Sequence, residues 1–248
     1  MSQAAIKAVG LTKSFGSVNA VAGVDLEVDR GEIFGFLGPN GAGKSTTIRM
    51  LTGLLVPTGG SARVAGYDVV AEPIQVKARI GYLAENPYAY EKLTGAEFLR
   101  FIGDLFQVDR SVAAERATAL LERLGLRDDA DKLVEGYSRG MRQKLGLIAA
   151  LLHSPEVLFL DEPTSGLDPR SARIVKDLLT EQSDQGQTVF LSTHVLATAE
   201  QMCDRVGIIA RGRLIAVGSL AQLRKRSRST GSLEDIFLEL TAEPEPAH

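Results

Sequence analysis

The chain has 248 residues, of which 44% are hydrophobic and 24% charged, with a net charge of −3 and a single cysteine. This composition is typical of a soluble globular protein of one or two domains; its acidic balance argues against nucleic-acid binding, and one cysteine excludes an internal disulfide framework. No apolar run reaches the roughly 18 residues of a membrane-spanning helix and the N-terminus has no signal-peptide core, so we expect another polypeptide to supply any transmembrane part.

The first residues of the chain predict a small β-layer. Apolar residues alternate weakly over residues 4–30, a pattern typical of antiparallel strands. We expect these strands to be joined by turns at Gly16-Ser17 and at Ala22-Gly23, because small residues interrupt the apolar pattern there. Residues 61–70 extend the same layer as further strands.

A glycine-rich loop lies between an apolar run at 32–37, which predicts a buried strand, and a helical stretch at 45–52. Its residues are Gly38, Pro39, Asn40, Gly41, Ala42, Gly43, Lys44, Ser45 and Thr46. They match G-x-x-x-x-G-K-[ST], in which backbone N–H groups and a helix N-terminus bind nucleotide phosphates. We expect Lys44 to reach the β- and γ-phosphates of ATP and Ser45 to bind Mg²⁺. The alternative is a glycine-rich turn without a ligand, which the flanking strand and helix argue against.

Residues 79–83 predict one more strand, after which the pattern becomes helical over about 91–152. Thr94 and Glu97 form a capping box ahead of apolar residues at helical spacing. Ser111 is placed to cap a second helix, and Gly125 lies where a glycine commonly ends one. These signals predict a helical segment inserted into an α/β chain.

The apolar run at 157–161 is followed by carboxylates and predicts a strand buried on both faces, as in a parallel sheet. Predicted helices at 170–182 and 195–202 alternate with strands at 188–192, 206–209 and 214–217, which is the pattern of an α/β core. Ligands bind at the carboxyl ends of strands in such sheets. We therefore expect Asp161 to hold Mg²⁺ through water and Glu162 to polarise an attacking water. A pair of helix-capping acids is the structural alternative.

Residues 221–241 predict a helical extension, whose last helix begins with a second capping box formed by Ser232 and Asp235. The apolar residues on one face of its last helix are Leu233, Ile236, Phe237 and Leu240. We expect this face to pack on its own domain, with docking of a partner as the alternative. The basic residues at 224–228 predict a solvated surface or contact with acidic lipid headgroups, and residues 242–248 are expected to be disordered.

In their order and spacing these motifs resemble the ATPase subunit of an ABC (ATP-binding cassette) transporter, over residues 4–220. The corresponding family motifs are Walker A at 38–46, Walker B at 157–162, the D-loop at 163–168 and the signature at 137–143. His194 corresponds to the switch histidine, and Phe15 to the aromatic residue that stacks on adenine. Taken alone, either of these two would be an ordinary core or surface residue.

Two motifs depart from the family's pattern. In the signature, Arg139 replaces a glycine and Met141 a glutamine, while Ser138 and Gly140 remain to offer a hydroxyl and a backbone N–H to a γ-phosphate. Glu85 replaces the Q-loop glutamine; its carboxylate can coordinate Mg²⁺ but brings a negative charge toward the triphosphate. These departures are similar to a subclass of exporter ATPases associated with drugs, antibiotics, lipids or polysaccharides.

The resemblance implies an α/β fold: a P-loop NTPase ABC cassette over residues 1–220, with a mixed sheet core, an antiparallel β subdomain and an inserted helical subdomain. It implies an ATPase that works as a head-to-tail homodimer, or as a heterodimer with a similar chain. Each ATP would lie between Lys44 of one subunit and Ser138 of the other, with Lys44, Glu162 and His194 as catalytic residues.

The resemblance also implies a separate multi-span permease that carries the substrate and holds this chain at the inner, cytoplasmic face of the cell membrane. Tyr88 and Tyr90 would line a groove for that partner, or be ordinary surface aromatics. A soluble ABC ATPase acting on ribosomes, DNA ends or cofactor assembly is a second hypothesis; such proteins fuse two cassettes, carry a long coiled coil or are strongly basic, unlike this chain. A non-enzymatic nucleotide sensor, the third, would lack Glu162.

Overall fold

Two sheets form the scaffold of residues 4–226 and 232–241, the part of the chain that the computed structural model describes. The strands are β1 Ile6–Phe15, β2 Val18–Val28, β3 Ile33–Leu37, β4 Gly59–Val64, β5 Tyr67–Asp68, β6 Ile80–Leu83, β7 Val157–Asp161, β8 Thr188–Thr193, β9 Arg205–Ala210 and β10 Arg213–Gly218. The helices are α1 Lys44–Leu51, α2 Pro73–Lys77, α3 Gly95–Leu105, α4 Arg110–Arg123, α5 Arg139–Leu151, α6 Pro169–Asp184, α7 Leu196–Met202, α8 Leu220–Arg226 and α9 Leu233–Thr241. No helix within these residues is long and apolar enough to cross a bilayer.

The larger sheet has the strand order β10-β9-β3-β8-β7-β6 and is parallel except for the β9–β10 pair. Every residue of β3, β7 and β8 is buried, which explains why these strands lack a polar alternation. The ring of Phe190 packs against those of Phe34, Phe36 and Phe159 with centroids 5.3 to 5.6 Å apart. Since β3, β8 and β7 are neighbours, the segments that follow them meet at one edge of the sheet.

The smaller sheet is antiparallel, with the order β2-β1-β4-β5, as expected for a β-layer. The turn predicted at Ala22-Gly23 is wrong, because β2 runs without a break from Val18 to Val28. Gly23 is instead the extra residue of a bulge: Leu11 pairs with Val24 and Thr12 with Ala22. The turn at Gly16-Ser17 is present between β1 and β2.

The helical segment lies between β6 and β7 and contains α3, α4 and α5, as predicted. Its first capping box is confirmed: the Glu97 amide donates to Thr94 Oγ1 at 3.1 Å and the Thr94 amide to Glu97 Oε2 at 2.9 Å. The cap predicted at Ser111 is wrong. The helix begins two positions earlier, where the Asp109 carboxylate caps it and accepts from the Ser111 amide at 2.9 Å.

The C-terminal helices pack on the cassette through apolar side chains. Leu233 and Ile236 of α9 are buried in a cluster with Leu37 and Leu223, and Phe237 packs against it, which confirms the predicted packing on the chain's own domain. The second capping box is present, with the Ser232 amide 2.7 Å from Asp235 Oδ2. The domain bounds at 1–220 and 221–241 stay predictions. The predictions for the Leu240 side chain, for residues 227–228 and for residues 242–248 lie outside what the structure describes.

Candidate functional site

A cavity of about 440 Å³ lies at the carboxyl edge of the larger sheet, where the segments after β3, β7 and β8 meet. Its lining residues are Ala20, Asn40, Gly41, Gly43, Lys44, Ser45, Thr46, Glu85, Asp161, Glu162 and His194. The sequence predicted all of these except Ala20. Edges of this kind are where open α/β sheets bind their ligands.

The glycine-rich loop presses against β2 at Gly43, where no other residue fits. The φ angle of Gly43 is +105°, and a Cβ atom there would lie 2.5 Å from the carbonyl oxygen of Ala20. The Thr47 hydroxyl donates to the Gly43 carbonyl at 2.9 Å and so closes the first turn of α1. Helix α1 therefore starts at Lys44, and its N-terminal amides face the cavity, where an anion is favoured.

The side chain of Lys44 is buried and folds back over its own loop. Its Nζ atom donates to the carbonyls of Gly38 at 2.7 Å and Pro39 at 3.1 Å. Burial lowers the pKa of Lys44. The neighbouring carboxylates oppose this shift, Glu162 most strongly, followed by Asp161 and then Glu85. A buried ammonium held only by carbonyls has room for a stronger partner, and a phosphate oxygen is such a partner.

Asp161 ends β7 and is almost fully buried. Its Oδ1 atom accepts a hydrogen bond from the Ser192 hydroxyl on β8, the residue with which it pairs across the two strands. The Ser45 hydroxyl lines the same cavity. A carboxylate and a hydroxyl together with phosphate oxygens and water are the donor set that Mg²⁺ takes in nucleotide sites, so these residues fit that ion.

Glu162 follows Asp161 with its backbone in the left-handed region, at φ +52°. Its Oε1 atom accepts from the His194 amide at 2.9 Å and lies 2.7 Å from His194 Nδ1; its Oε2 atom accepts from the Thr193 hydroxyl at 3.1 Å. A carboxylate fixed at three points in a cavity wall can accept a proton from a water molecule without first losing its orientation.

The profile of the ABC transporter family matches residues 21–165, more than half of the chain. The chain belongs to the ABC transporter family. It is 47% identical over 220 residues to the daunorubicin/doxorubicin resistance ATP-binding protein of Streptomyces peucetius, covering 89% of this chain and 67% of that protein. It is also 47% identical over 210 residues to a fluoroquinolones export ATP-binding protein of Mycobacterium tuberculosis, covering 84% of this chain and 68% of that one.

The alignments span about two thirds of the length of these two relatives. Among solved structures, an ATP-binding subunit of an ABC transporter superposes with a TM-score of 0.90 at 33% identity, covering 95% of this chain and 98% of that one. The chain is therefore an ATP-binding subunit of an ABC transporter, and the activity of such a subunit is ATP hydrolysis coupled to transport. The α/β cassette fold expected from the resemblance is confirmed.

Some of the predicted nucleotide-site residues do not line the cavity; they lie in the glycine-rich loop or at the end of β1. Gly38, Pro39 and Ala42 belong to the loop but do not line the cavity. Phe15 is half exposed at the end of β1, with Lys13 Nζ 5.2 Å from its ring centroid, and does not line the cavity either. An adenine ring stacked on Phe15 would lie at the surface, and this role stays a prediction.

The signature residues lie away from this cavity, at the start of α5. Ser138 caps that helix and accepts from the Met141 amide at 3.2 Å. Ser138 is exposed and Gly140 partly exposed, so neither is committed to the interior of its own chain. The family position of these residues is at the nucleotide of a second subunit, and this role too stays a prediction.

Sequence reasoning gave no role to three residues that hold the site in place. Ser192 and Thr193 bind the carboxylates of Asp161 and Glu162 from the neighbouring strand, and Gln143 Nε2 donates to the Glu162 carbonyl at 3.2 Å. The signal for Ser192 and Thr193 was their polarity at the end of an otherwise apolar strand, beside His194. Gln143 carries no comparable signal, because only the packing of α5 brings it to Glu162.

Proposed function

We propose that this chain is the ATP-hydrolysing subunit of an exporter of drug-like or antibiotic compounds, working as a dimer with a separate multi-span permease. The observation that carries the proposal is the meeting of Lys44, Asp161, Glu162 and His194 in one cavity. Support for export comes from the two relatives described above, whose names refer to daunorubicin and doxorubicin resistance and to fluoroquinolone export.

In this proposal the loop amides and Lys44 bind the phosphates of ATP, while Ser45 and Asp161 hold Mg²⁺, with Glu85 as a further oxygen ligand. Among residues 4–226 and 232–241, no group of three or more His, Cys, Asp or Glu side chains is arranged to hold a metal by itself. That fits Mg²⁺, which enters nucleotide sites with phosphates and water as most of its ligands. The bound ion would neutralise charge on the phosphates during transfer.

Glu162 is proposed to take a proton from the water that attacks the γ-phosphate. The three contacts from His194 and Thr193 keep its carboxylate at the cavity wall. Lys44 and the loop amides stabilise the charge that develops on the phosphate oxygens, and His194 lies beside Glu162 at the cavity mouth, where its imidazole can contact the γ-phosphate.

A second cassette completes the site in this proposal. Ser138 and the backbone of Gly140, at the N-terminus of α5, would contact the γ-phosphate that the other subunit holds with Lys44. The partner is a second copy of this chain or a similar chain, arranged head to tail. Loss of the γ-phosphate on hydrolysis removes a contact that only the closed dimer makes, so the dimer opens.

A second cavity, of about 840 Å³, is the proposed binding groove for the permease. Its apolar lining includes Ile74, Leu83, Tyr88, Phe98, Ile102 and Leu105. The groove lies between β6, which leads to Glu85, and helices α3 and α5, so an occupant would touch both the nucleotide-site loop and the helical segment. A short amphipathic helix from a cytoplasmic loop of the permease suits a groove of this kind. This contact would place the chain at the cytoplasmic face of the membrane.

Tyr88 and Tyr90, the two tyrosines predicted to line the groove, occupy different surroundings. Tyr88 lines the groove and is 98% exposed, so its ring is available to a partner. Tyr90 packs edge-on against Phe101, with centroids 5.4 Å apart, and does not line the groove. Of the two, Tyr88 is therefore the one proposed to contact the permease.

Affinity capture tests the permease. Tagged Glu162→Gln protein is recovered with ATP from detergent-solubilised membranes of its own host, and a stoichiometric multi-span protein is expected with it. Leu105→Asp, added to that background, should abolish recovery of this protein. Leu238→Asp, which replaces an equally exposed leucine on α9 (59% against 61%), should retain it. Recovery of ribosomal or DNA-repair components instead would favour the soluble ABC ATPase.

A transport measurement tests the substrate class. Host cells lacking this chain should accumulate more of a fluorescent anthracycline or fluoroquinolone than cells carrying it, and Lys44→Ala protein should not restore export. Equal accumulation of both compounds in the two strains would contradict drug export while leaving the ATPase assignment intact.

A further inference from the structure

Arg139, which replaces a glycine in the signature, binds the loop at 163–168 of its own chain. Its Nη2 atom donates to Ser165 Oγ at 3.1 Å. Its aliphatic stem lies along the face of Gly166: a Cβ atom added there would be 3.3 Å from Arg139 Cδ and 3.4 Å from Cγ. The φ angle of Gly166 is +73°, so glycine at this position both permits the turn and leaves room for the arginine.

Two further contacts hold the same pair of segments together. A Cβ atom on Gly140 would lie 3.1 Å from the Gly166 carbonyl oxygen, so the two backbones approach closely. Deeper in the chain, the buried Gln143 side chain donates to the Glu162 carbonyl at 3.2 Å. The first turns of α5 thus contact the loop at two places, at Glu162 just before it and at Gly166 near its end.

These contacts join an element that would face a second subunit to one that continues from the chain's own nucleotide site. Ser138 would contact the γ-phosphate held by the partner, and the loop at 163–168 follows directly from Glu162 of the chain's own nucleotide site. An arginine adds to this junction what a glycine lacks, a side chain that spans from the helix to the loop.

Given the dimer proposed above, we propose that Arg139 is a positioning residue. Its contact with Ser165 ties the loop after Glu162 to the start of α5, so that the loop and Ser138 move as one unit when the dimer closes. Without the tie, ATP would still bind to each monomer, since Arg139 does not line the nucleotide cavity. The two segments would then have to be ordered separately on dimer closure, which weakens closure.

Hydrogen exchange on the nucleotide-free monomer tests the tie without relying on the dimer. The amides of Ser165 and Leu167 donate to the Glu162 and Thr164 carbonyls, so their exchange rates report on the loop. Arg139→Ala and Ser165→Ala should each raise exchange at 163–168 by about threefold or more, and Arg139→Lys should restore part of the protection. Unchanged exchange in Arg139→Ala would overturn the proposal. Arg142→Ala removes the same charge from the same turn but contacts Glu91 and Glu135, and is the control expected to leave the loop unchanged.

Dimerisation tests the functional consequence. In the Glu162→Gln background, Arg139→Ala and Ser165→Ala should each raise the ATP concentration needed for dimerisation by about fivefold, and the double variant should be no worse than either single one. ATP affinity of the monomers and melting temperatures should be unchanged. Additive effects, or none, would overturn the positioning role. Failure of the parent Glu162→Gln protein to dimerise would instead contradict the proposed dimer, and the exchange experiment would still decide on the tie.

Discussion

Replacing Glu162 by glutamine should remove the proton acceptor while leaving the nucleotide site in place. The amide keeps the size of the carboxylate, and its oxygen can still accept from the amide and Nδ1 of His194. The nitrogen that replaces Oε2 cannot accept from the Thr193 hydroxyl. The hydroxyl must turn and accept from this nitrogen instead, so the hydroxyl proton loses its acceptor. That loss costs about 1 kcal/mol of stability, and melting should therefore shift only slightly.

The effect on hydrolysis should be much larger than the effect on stability. A positioned general base contributes about 100- to 10,000-fold, or about 2.7–5.4 kcal/mol in activation free energy. Phosphate release at saturating ATP should fall by a factor in that range. ATP affinity, measured by calorimetry, should not fall, because Glu162 does not bind the loop that holds the phosphates and its replacement removes a negative charge from the cavity.

Thr193→Val is the matched control for this experiment, since it removes one hydrogen bond to the same carboxylate but keeps the carboxylate itself. Its turnover should stay within about tenfold of wild type. Turnover of Glu162→Gln within that same range, with ATP affinity undiminished, would refute the assignment of Glu162 as the base. Loss of ATP binding in Glu162→Gln would show that the residue holds the nucleotide instead.

Three further substitutions test two other residues of the nucleotide site and one buried histidine outside it. Lys44→Ala should abolish productive ATP binding because the triphosphate loses its buried cation, and wild-type turnover would contradict the assignment of this loop. Glu85→Gln should keep turnover within about tenfold of wild type. It should tighten ATP binding in EDTA more than in Mg²⁺, because one of the three carboxylates in the cavity is neutralised. Equal changes in the two buffers would show that the charge of Glu85 does not reach the nucleotide. Burial, and then Arg116, lowers the pKa of His153 below its ordinary 6.5, so the unfolded chain binds this proton at higher pH than the folded chain and stability is lost as pH falls below that value. Urea unfolding of His153→Gln should therefore show a shallower decline in stability between pH 7 and pH 5.5, and equal declines in the two proteins would contradict a buried neutral imidazole.

The parts of the fold that local patterns determine could be predicted from the sequence. The buried strands β3, β7 and β8 are mainly apolar runs, and the capping box at Thr94 marks the start of the helical segment. The bulge at Gly23 could not be predicted, because it depends on how β2 is paired with β1. The cap of α4 was missed by two residues, since Asp109 and Ser111 both carry side chains that suit a cap and only the helix start decides between them.

In the candidate site too, the residues of short motifs could be predicted and the residues that support them could not. The loop residues, Asp161 and Glu162 stand in short motifs that the chain order alone reveals. Their supporting contacts come from elsewhere: Ser192 reaches Asp161 because β7 and β8 pair in a particular register, and Gln143 reaches Glu162 because α5 packs on the loop after β7. The contact of Arg139 with Ser165 joins residues 26 positions apart and is likewise a property of the packing.

Closure of two cassettes on ATP is tested most directly by sedimentation velocity of the Glu162→Gln protein with Mg²⁺ and ATP, with ADP, and without nucleotide. Of the three conditions, only Mg²⁺ and ATP should produce a species of twice the monomer mass. Ser138→Ala on the same background should weaken formation of this species without changing ATP binding to the monomer. A protein that binds ATP with normal affinity yet remains monomeric at every concentration tested would contradict a site completed by a second subunit.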